Sequence, residues 1–515
     1  MRKLYQLITE TIAPVPRPAA ALRPVMTRCE WSAYWALFGG GFFFALWISL
    51  ASTGYSLDDE ITHYLRSHQA WSQPERLLGT WTRPGRNFIH FFFAWMSLES
   101  VRVATLLMAA VVVWVSTKIA AGFGLRRLWL LPLFLWFQPW FISLSGAVLT
   151  QTPFALVAVL GIYWLLTGKD VASGFCWGYL SLIRHEGIAF SLMFFVWFAV
   201  QGRWRGVLGV LAPIGIYNLI AYLSIGEIPL MVFFEPKPEG RNFYGTGTLF
   251  HFVPTTFWFA SPVIVVLSLL GLPKAIENWR SIWPLIVYPL YWLMHTIIYW
   301  RGLFASGGYY EFLMPMAPVF AIGALYGMEQ IRVWTNGRVK LQRVVLAVVM
   351  LGIVVPVSLT AEMIRGALQV VAPRDVAHLL VPQNIEVRPY QRAELKNHLD
   401  EAIHWVDENR PSPSIVLCAN IYIEFTRALW KQEGYGHLHY TRPSEQELGT
   451  VLLWEEAYSD VTFFQRAYLQ VKGSGWVELQ RFGSDPEDPA VVIYEKVSKP
   501  TLTTEETDEL LKGPE

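Results

Sequence analysis

Charge is scarce in this chain. Asp, Glu, Lys and Arg make up 16% of its 515 residues, where soluble globular proteins average about 25%. With 53% apolar and 15% aromatic residues, that scarcity excludes an ordinary soluble protein and points to a multi-spanning membrane protein. Cysteine is scarcer still. Cys29, Cys176 and Cys418 stand far apart in three different surroundings, which excludes a disulfide framework and a metal knuckle and leaves three small buried apolar side chains. Neither sign of charge dominates: the net charge is +1, and nothing in it calls for nucleic acid as a partner.

What is present in abundance is apolar sequence. Runs of about 17 to 25 apolar residues can cross a bilayer, and they fall at 33–52, 99–121, 128–145, 148–167, 207–225, 252–272, 282–300, 311–328 and 344–360. A further stretch, 172–201, is interrupted by Arg184, His185 and Glu186. It is too long for one crossing and too short for two, so it reads as two short helices meeting at Arg184–Gly187 inside the membrane. The total is about eleven spans.

The basic residues sort by side. With the N-terminus cytoplasmic, one set of loops receives Arg2, Lys3, Arg17, Arg23 and Arg28, then Arg126 and Arg127, Lys169, Arg203 and Arg205, Lys274 and Arg280, and the group from Arg332 to Arg343. The opposite, exofacial side receives the loops 53–98 and 226–251, the segment 301–310 and everything after the last span. The basic N-terminal segment is long for a signal peptide, so the first run reads as an uncleaved anchor. No retention signal is evident, which favours a bacterial inner membrane.

After Thr360 the pattern changes. Short apolar strands at 414–419, 451–454, 476–482 and 490–497 alternate with helix-like stretches at 392–408 and 422–431, the pattern of a small α/β domain. The chain therefore reads as an α-helical polytopic membrane protein with a C-terminal soluble α/β domain. Its parts are a cytoplasmic segment 1–32, a membrane region 33–361, an exofacial domain 362–497 and a disordered tail 498–515 rich in Thr, Glu and Lys.

The first exofacial loop opens with Asp58, Asp59 and Glu60. Carboxylates beside the hydrocarbon edge require water, a cation or a reactant. Ile61, Tyr64 and Leu65 fall on one helical stripe, while Asp59, Thr62, His63 and Arg66 fall on another. An amphipathic helix along the membrane surface would turn that polar stripe to a cavity, and its N-terminus would keep the carboxylates anionic, as a general base requires. Ser56 and Asp59, three residues apart, also fit a capping box. Oxygen ligands of this kind suit magnesium or manganese. Later in the loop, Arg83 and Arg86 precede the next span. Two guanidinium groups there could hold a lipid-linked phosphate, or simply snorkel to headgroups.

An anchor span, an exofacial loop opening on Asp59-Glu60, an interfacial helix and the basic-proline pair Arg83-Pro84 together resemble the GT-C superfamily of membrane glycosyltransferases. The pairs Asp59-Glu60 and Arg83-Pro84 resemble elements of the aminoarabinose transferase and protein O-mannosyltransferase branch. The same loop resembles the His-x-Asp-Glu loop of dolichyl-phosphate-mannose-dependent mannosyltransferases, with Leu57 at the histidine position. Tyr309-Tyr310-Glu311-Phe312-Leu313-Met314-Pro315, opening a late span, is similar to an Arg-Tyr-x-x-x-Pro element of the superfamily.

The resemblance implies inverting transfer of a sugar, hexose or mannose-like, from a polyprenyl-phosphate donor to a hydroxyl or amine of a glycan, lipid or protein in the cell envelope. Phosphate leaves without acid assistance, so one base suffices, unlike glycoside hydrolysis. Asp59 is the first candidate, Asp58 the next, and Glu60 would orient acceptor or metal.

Other candidates follow from position. Arg184, His185 and Glu186 are ionisable groups within an apolar stretch and therefore functional by default, although an Arg–Glu pair could merely hold the turn. Lys237 and Arg241 lie in a Pro- and Gly-rich loop suited to a lid. Arg301, Tyr309 and Tyr310 lie at a span end where phosphate could bind. Gln151 could bond a sugar hydroxyl, and His295 within a span reads as a packing residue. A lipid-linked-sugar flippase or secondary transporter would also have many spans and a broken helix, and a polysaccharide polymerase or ligase would also use lipid-linked sugars.

Overall fold

The structure is a computed structural model and describes residues 23–56, 58–79, 83–226, 228–229, 246–303, 308–336, 338–358, 390, 394–410, 416–418, 444, 446–455, 466–483, 485, 490–502 and 506. Lys237, Arg241 and the Asp58 side chain lie outside them, as do most of the tail and the expected helix 422–431. The chain divides into two compact units, 1–52 with 66–389 and 53–65 with 390–515.

The first unit is helical. Its members are α1 (Arg28–Leu50), α3 (Pro84–Ala94), α4 (Leu98–Gly122), α5 (Leu131–Trp136), α6 (Pro139–Leu144), α7 (Gln151–Leu166), α8 (Asp170–Ile183), α9 (Gly187–Val200), α10 (Trp204–Ile225), α11 (Phe252–Ala260), α12 (Pro262–Glu277), α13 (Val287–Trp300), α14 (Ala317–Trp334) and α15 (Val339–Ser358). The helix α2 (Asp58–Gln69) begins in the second unit and ends in the first. Local chemistry sets the starts. Thr27 and Glu30 close a reciprocal capping box on α1, and Ser97 accepts from Ser100 N–H to begin α4.

Prolines redraw the expected spans. The run 128–145 is cut at Pro132 and Pro139 into a 3-10 turn and two helices of six residues each, because proline removes a backbone donor and clashes with the preceding turn. The run 252–272 breaks at Ser261-Pro262, where α11 and α12 meet at 106°. Among the described residues four helices are long and apolar enough to cross a membrane, Arg28–Leu50, Leu98–Gly122, Trp204–Ile225 and the continuous Tyr310–Trp334, and the bent pair makes a fifth. The stretch 172–201 does divide at Arg184–Glu186 into α8 and α9.

Small residues let helices touch. A Cβ at Gly174 or Gly178 on α8 would stand 2.2 or 2.1 Å from the Gly206 or Val210 carbonyl oxygen of α10. Close backbone approach replaces the hydrophobic driving force that helices lack in lipid.

The second unit holds a four-stranded sheet: β1 (Val416–Cys418), β2 (Val451–Glu455), β3 (Trp476–Phe482) and β4 (Val491–Lys496) in the order β1-β2-β4-β3. β1 and β2 are parallel, the other pairings antiparallel. One face packs Val451, Leu453, Val491 and Ile493 against Leu399, Ala402 and Val406 of α16 (Glu394–Asn409). The other packs Leu452, Trp454 and Tyr494 against Tyr468 and Leu469 of α17 (Arg466–Gln470). Both faces are covered, which is why β2 reads as a continuous apolar run rather than an alternation. Tyr55, from the beginning of the chain's first loop, packs on the α16 side of this core, and Gly54 N–H donates to Tyr390 O at 3.0 Å.

Candidate active site

The break between α8 and α9 brings several buried polar groups of the first unit together. Arg184 closes α8 in extended conformation (φ −150°, ψ 149°) and Glu186 precedes α9. Gly187 allows the reversal, since a Cβ there would stand 2.2 Å from the Leu180 carbonyl. The Arg184 guanidinium donates from Nη2 to Glu186 Oε1 at 2.9 Å and from Nε to Oε2 at 3.3 Å, a fork on one carboxylate. Its Nη1 donates to Thr150 Oγ1 at 2.8 Å, and Thr150 in turn donates to Gln151 Oε1 at 3.4 Å.

Glu186 also meets His295 of α13, whose Nε2 lies 3.2 Å from Oε1, within ion-pair distance but off the line of a hydrogen bond. Phe312 covers the pair, its ring 4.8 Å from Arg184 Cζ and stacked on His295 at 5.3 Å. Glu311 adds a second carboxylate that acts on the same guanidinium. Arg184 is 9% and His295 2% exposed, so charge here is compensated by partners rather than water.

Arg83 reaches this region from α3. It adopts φ 63°, ψ 86° immediately before Pro84, a left-handed conformation unfavourable for a residue with a Cβ and further restricted ahead of proline. Its Nη1 lies 2.9 Å from His185 Nε2. A guanidinium only donates, so His185 accepts through Nε2. The start of α3 is fixed against α8 by Tyr179, whose hydroxyl donates to Gly85 O at 2.7 Å, and by Gly85, where a Cβ would stand 2.9 Å from Leu182.

The remaining expected residues are distributed as follows. Arg86 is fully buried, bonded to Asn87 and, at 3.4 Å, to Ser67 Oγ. Tyr309 is half-exposed with its ring edge-on to Phe312 at 5.8 Å, which ties it to the Arg184 group. Tyr310 stacks on His251 at 5.8 Å, and Arg301 lies 4.2 Å over the Trp300 ring.

In the second unit, Asp59 is exposed in the first turn of α2, and Glu60 is buried and accepts from Ser56 N–H at 2.8 Å. Glu60 thus makes the backbone bond that the capping-box spacing assigned to Asp59. Ser56 Oγ finds no partner among the described residues. On the helix stripe, Ile61, Tyr64 and Leu65 are buried as expected of an apolar face, but Thr62 and His63 are buried too. Among the described residues no group of three or more His, Cys, Asp and Glu side chains could hold a metal ion.

Sequence reasoning missed Thr150 as the Arg184 partner and read His295 as packing. His295 carried a signal, being an ionisable residue inside an apolar run. Thr150 carried none beyond its neighbour Gln151.

No family model matches this sequence, and no curated protein does. Solved structures match its architecture. ArnT from Cupriavidus metallidurans bound to undecaprenyl phosphate superposes with a TM-score of 0.55 at 12% identity, over 95% of this chain and 100% of that one. The arabinofuranosyltransferase AftD from Mycobacteria superposes with a TM-score of 0.51 at 13% identity, over 93% of this chain and 40% of that one. ArnT in the apo state aligns with a TM-score of 0.48 at 17% identity over 66% of this chain, which spans 65% of that protein's length. The chain has the GT-C fold and is an integral membrane protein.

Proposed function

We propose that this protein is a membrane glycosyltransferase that moves a sugar from a polyprenyl phosphate to an acceptor hydroxyl or amine on the exofacial side, with inversion at the anomeric carbon. The observation that carries the reading is Arg83, held in a strained backbone conformation with its guanidinium against His185 and next to the Arg184–Glu186 pair. Strain of that kind persists where the surroundings impose it and is concentrated at functional sites. The GT-C fold over nearly the whole chain, and the polyprenyl phosphate bound by ArnT, support the same donor chemistry.

In this reading Arg83 neutralises the donor phosphate as charge grows on it, and Asp59 takes the acceptor proton. The acceptor oxygen or nitrogen forms the new bond to the anomeric carbon, and the electron pair of the breaking bond leaves on phosphate. Electrostatic stabilisation of the leaving group is the larger contribution, general base catalysis the smaller. Arg184, Glu186 and His295 brace the turn from which His185 meets Arg83. A magnesium or manganese ion would be held by the acidic run Asp58, Asp59 and Glu60. The N-terminus is cytoplasmic, the C-terminal α/β domain exofacial, and about eleven segments cross a bacterial inner membrane once short and broken helices are included.

The test is transfer of labelled sugar from polyprenyl-phosphate donors in liposomes, with and without chelator. Asp59→Asn should lower turnover by about 10²- to 10⁴-fold, and chelation should abolish it only if the acidic run works through a cation. Undiminished transfer by the variant removes Asp59 as base, and movement of intact lipid-linked sugar with no glycosidic product replaces the transferase by a flippase.

A further inference from the structure

The turn from α7 into α8 borders a groove that the candidate active site does not use. It encloses about 630 Å³. Its walls are apolar, Val171 and Phe175 from α8 and Trp164 from α7, and its rim carries Lys169 and Arg205. Val171 and Phe175 are 55% and 43% exposed, ordinary for side chains that meet lipid and unusual for ones that meet water.

The rim is cationic by construction. Its acid, Asp170, is paired with Arg203, which is itself laid over the rings of Trp197 and Phe198 at 5.1 and 5.6 Å. That leaves Lys169 and Arg205 uncompensated. The Lys169 ammonium is stationed 4.4 Å over the Trp164 ring, which keeps it at the rim, and Arg205 is exposed with no acidic partner among the described residues. Lys169 lies in the α7–α8 turn and Arg205 in the first turn of α10, both on the side that the charge pattern assigns to the cytoplasm.

We infer that this groove binds an anionic phospholipid, its phosphate between Lys169 and Arg205 and an acyl chain along Val171 and Phe175. A free phosphate satisfies the cations and leaves the apolar wall uncovered; a lipid covers both. Basic pockets beside membrane helices on that side recognise anionic headgroups, and each cation near the surface contributes enough that removing two weakens binding about 30-fold. The lipid would bridge the α7–α8 turn to the beginning of α10, and so stabilise the glycine-packed α8–α10 pair by mass action.

The experiment uses the delipidated full-length protein in detergent, followed by native mass spectrometry and thermal unfolding. Phosphatidylglycerol should leave one retained lipid and raise the melting temperature, phosphatidylcholine should do so far less, and inorganic phosphate should not compete. Lys169→Gln with Arg205→Gln should bind phosphatidylglycerol about 30-fold more weakly, and Lys169→Arg with Arg205→Lys should restore it. Photoreactive phosphatidylglycerol on the parent protein should label peptide 164–176, a readout independent of any variant. Undiminished binding by the glutamine variant, equal affinity for phosphatidylcholine, labelling elsewhere, or full competition by inorganic phosphate would each overturn the inference, the last in favour of a soluble anion.

Discussion

At the scale of single residues, Arg83 brings together backbone strain and function. At φ 63°, only glycine is relaxed, and a residue with a Cβ carries a penalty of about 1–2 kcal/mol. Arg83→Gly and Arg83→Ala both remove the guanidinium, so both should lose sugar transfer. They should differ in stability, the glycine variant being firmer than the alanine variant by about 1 kcal/mol; equal melting temperatures would show that the conformation is unstrained. Glu186 makes the complementary case. It is the shared partner of Arg184 and His295, and removing one member of a buried pair costs about 3–5 kcal/mol, whereas replacing the pair with apolar side chains is often nearly neutral. Glu186→Gln should therefore lower the melting temperature sharply. Arg184→Met combined with Glu186→Met should recover most of the loss, and a double variant as unstable as the single would contradict the pairing.

Among the elements, the α8–α10 contact depends on the absence of side chains. With a Cβ at position 178 placed 2.1 Å from Val210 O, Gly178→Ala must push the helices apart and should destabilise the protein by about 1–3 kcal/mol, the usual range for overpacking. Thermal unfolding in detergent measures it, and an unchanged midpoint would mean that the helices are not in register as described. In the sheet, Lys496 is buried at the end of β4 with Nζ donating to Ser474 O at 2.8 Å. Burial pushes its ammonium down to about 8. An unfolded lysine titrates near 10.4, so between these values the unfolded chain binds the extra proton and stability rises with pH. Resistance of the sheet to proteolysis should increase from about pH 8 to 10, and Lys496→Met should remove that rise while leaving the sheet intact.

For the whole molecule, the sequence resolved what depends on local pattern and lost what depends on partners. The strands β2, β3 and β4 were legible because short apolar runs between turn residues have few alternatives, and the α8–α9 break was legible because three ionisable residues interrupt an apolar stretch. The runs 128–145 and 252–272 were not, since hydropathy averages over Pro132, Pro139 and Pro262 while the backbone cannot. In the candidate site, Arg184 and Glu186 stood out by their chemistry alone. That His295 comes within ion-pair distance of Glu186 and that Thr150 accepts from Arg184 are tertiary facts that the local sequence does not specify. The membership of residues 53–65 in the unit built by 390–515 was equally invisible, because it joins segments more than three hundred positions apart. Tyr55→Ala should expose it: backbone amides at 53–56 should exchange faster with deuterium while those in β4 keep their protection, and unchanged exchange would mean that Tyr55 does not hold the segment.

That membership orders events during synthesis. The ribosome makes the acidic segment early, yet Tyr390 and the α16 face on which Tyr55 rests emerge only after α15, the last helix of the first unit among the described residues. A nascent chain therefore makes α1 to α15 while the segment 53–65 still lacks its scaffold. A polypeptide terminated after Ser358 should insert, stay unproductive, and be rescued only by supplying the missing portion in trans.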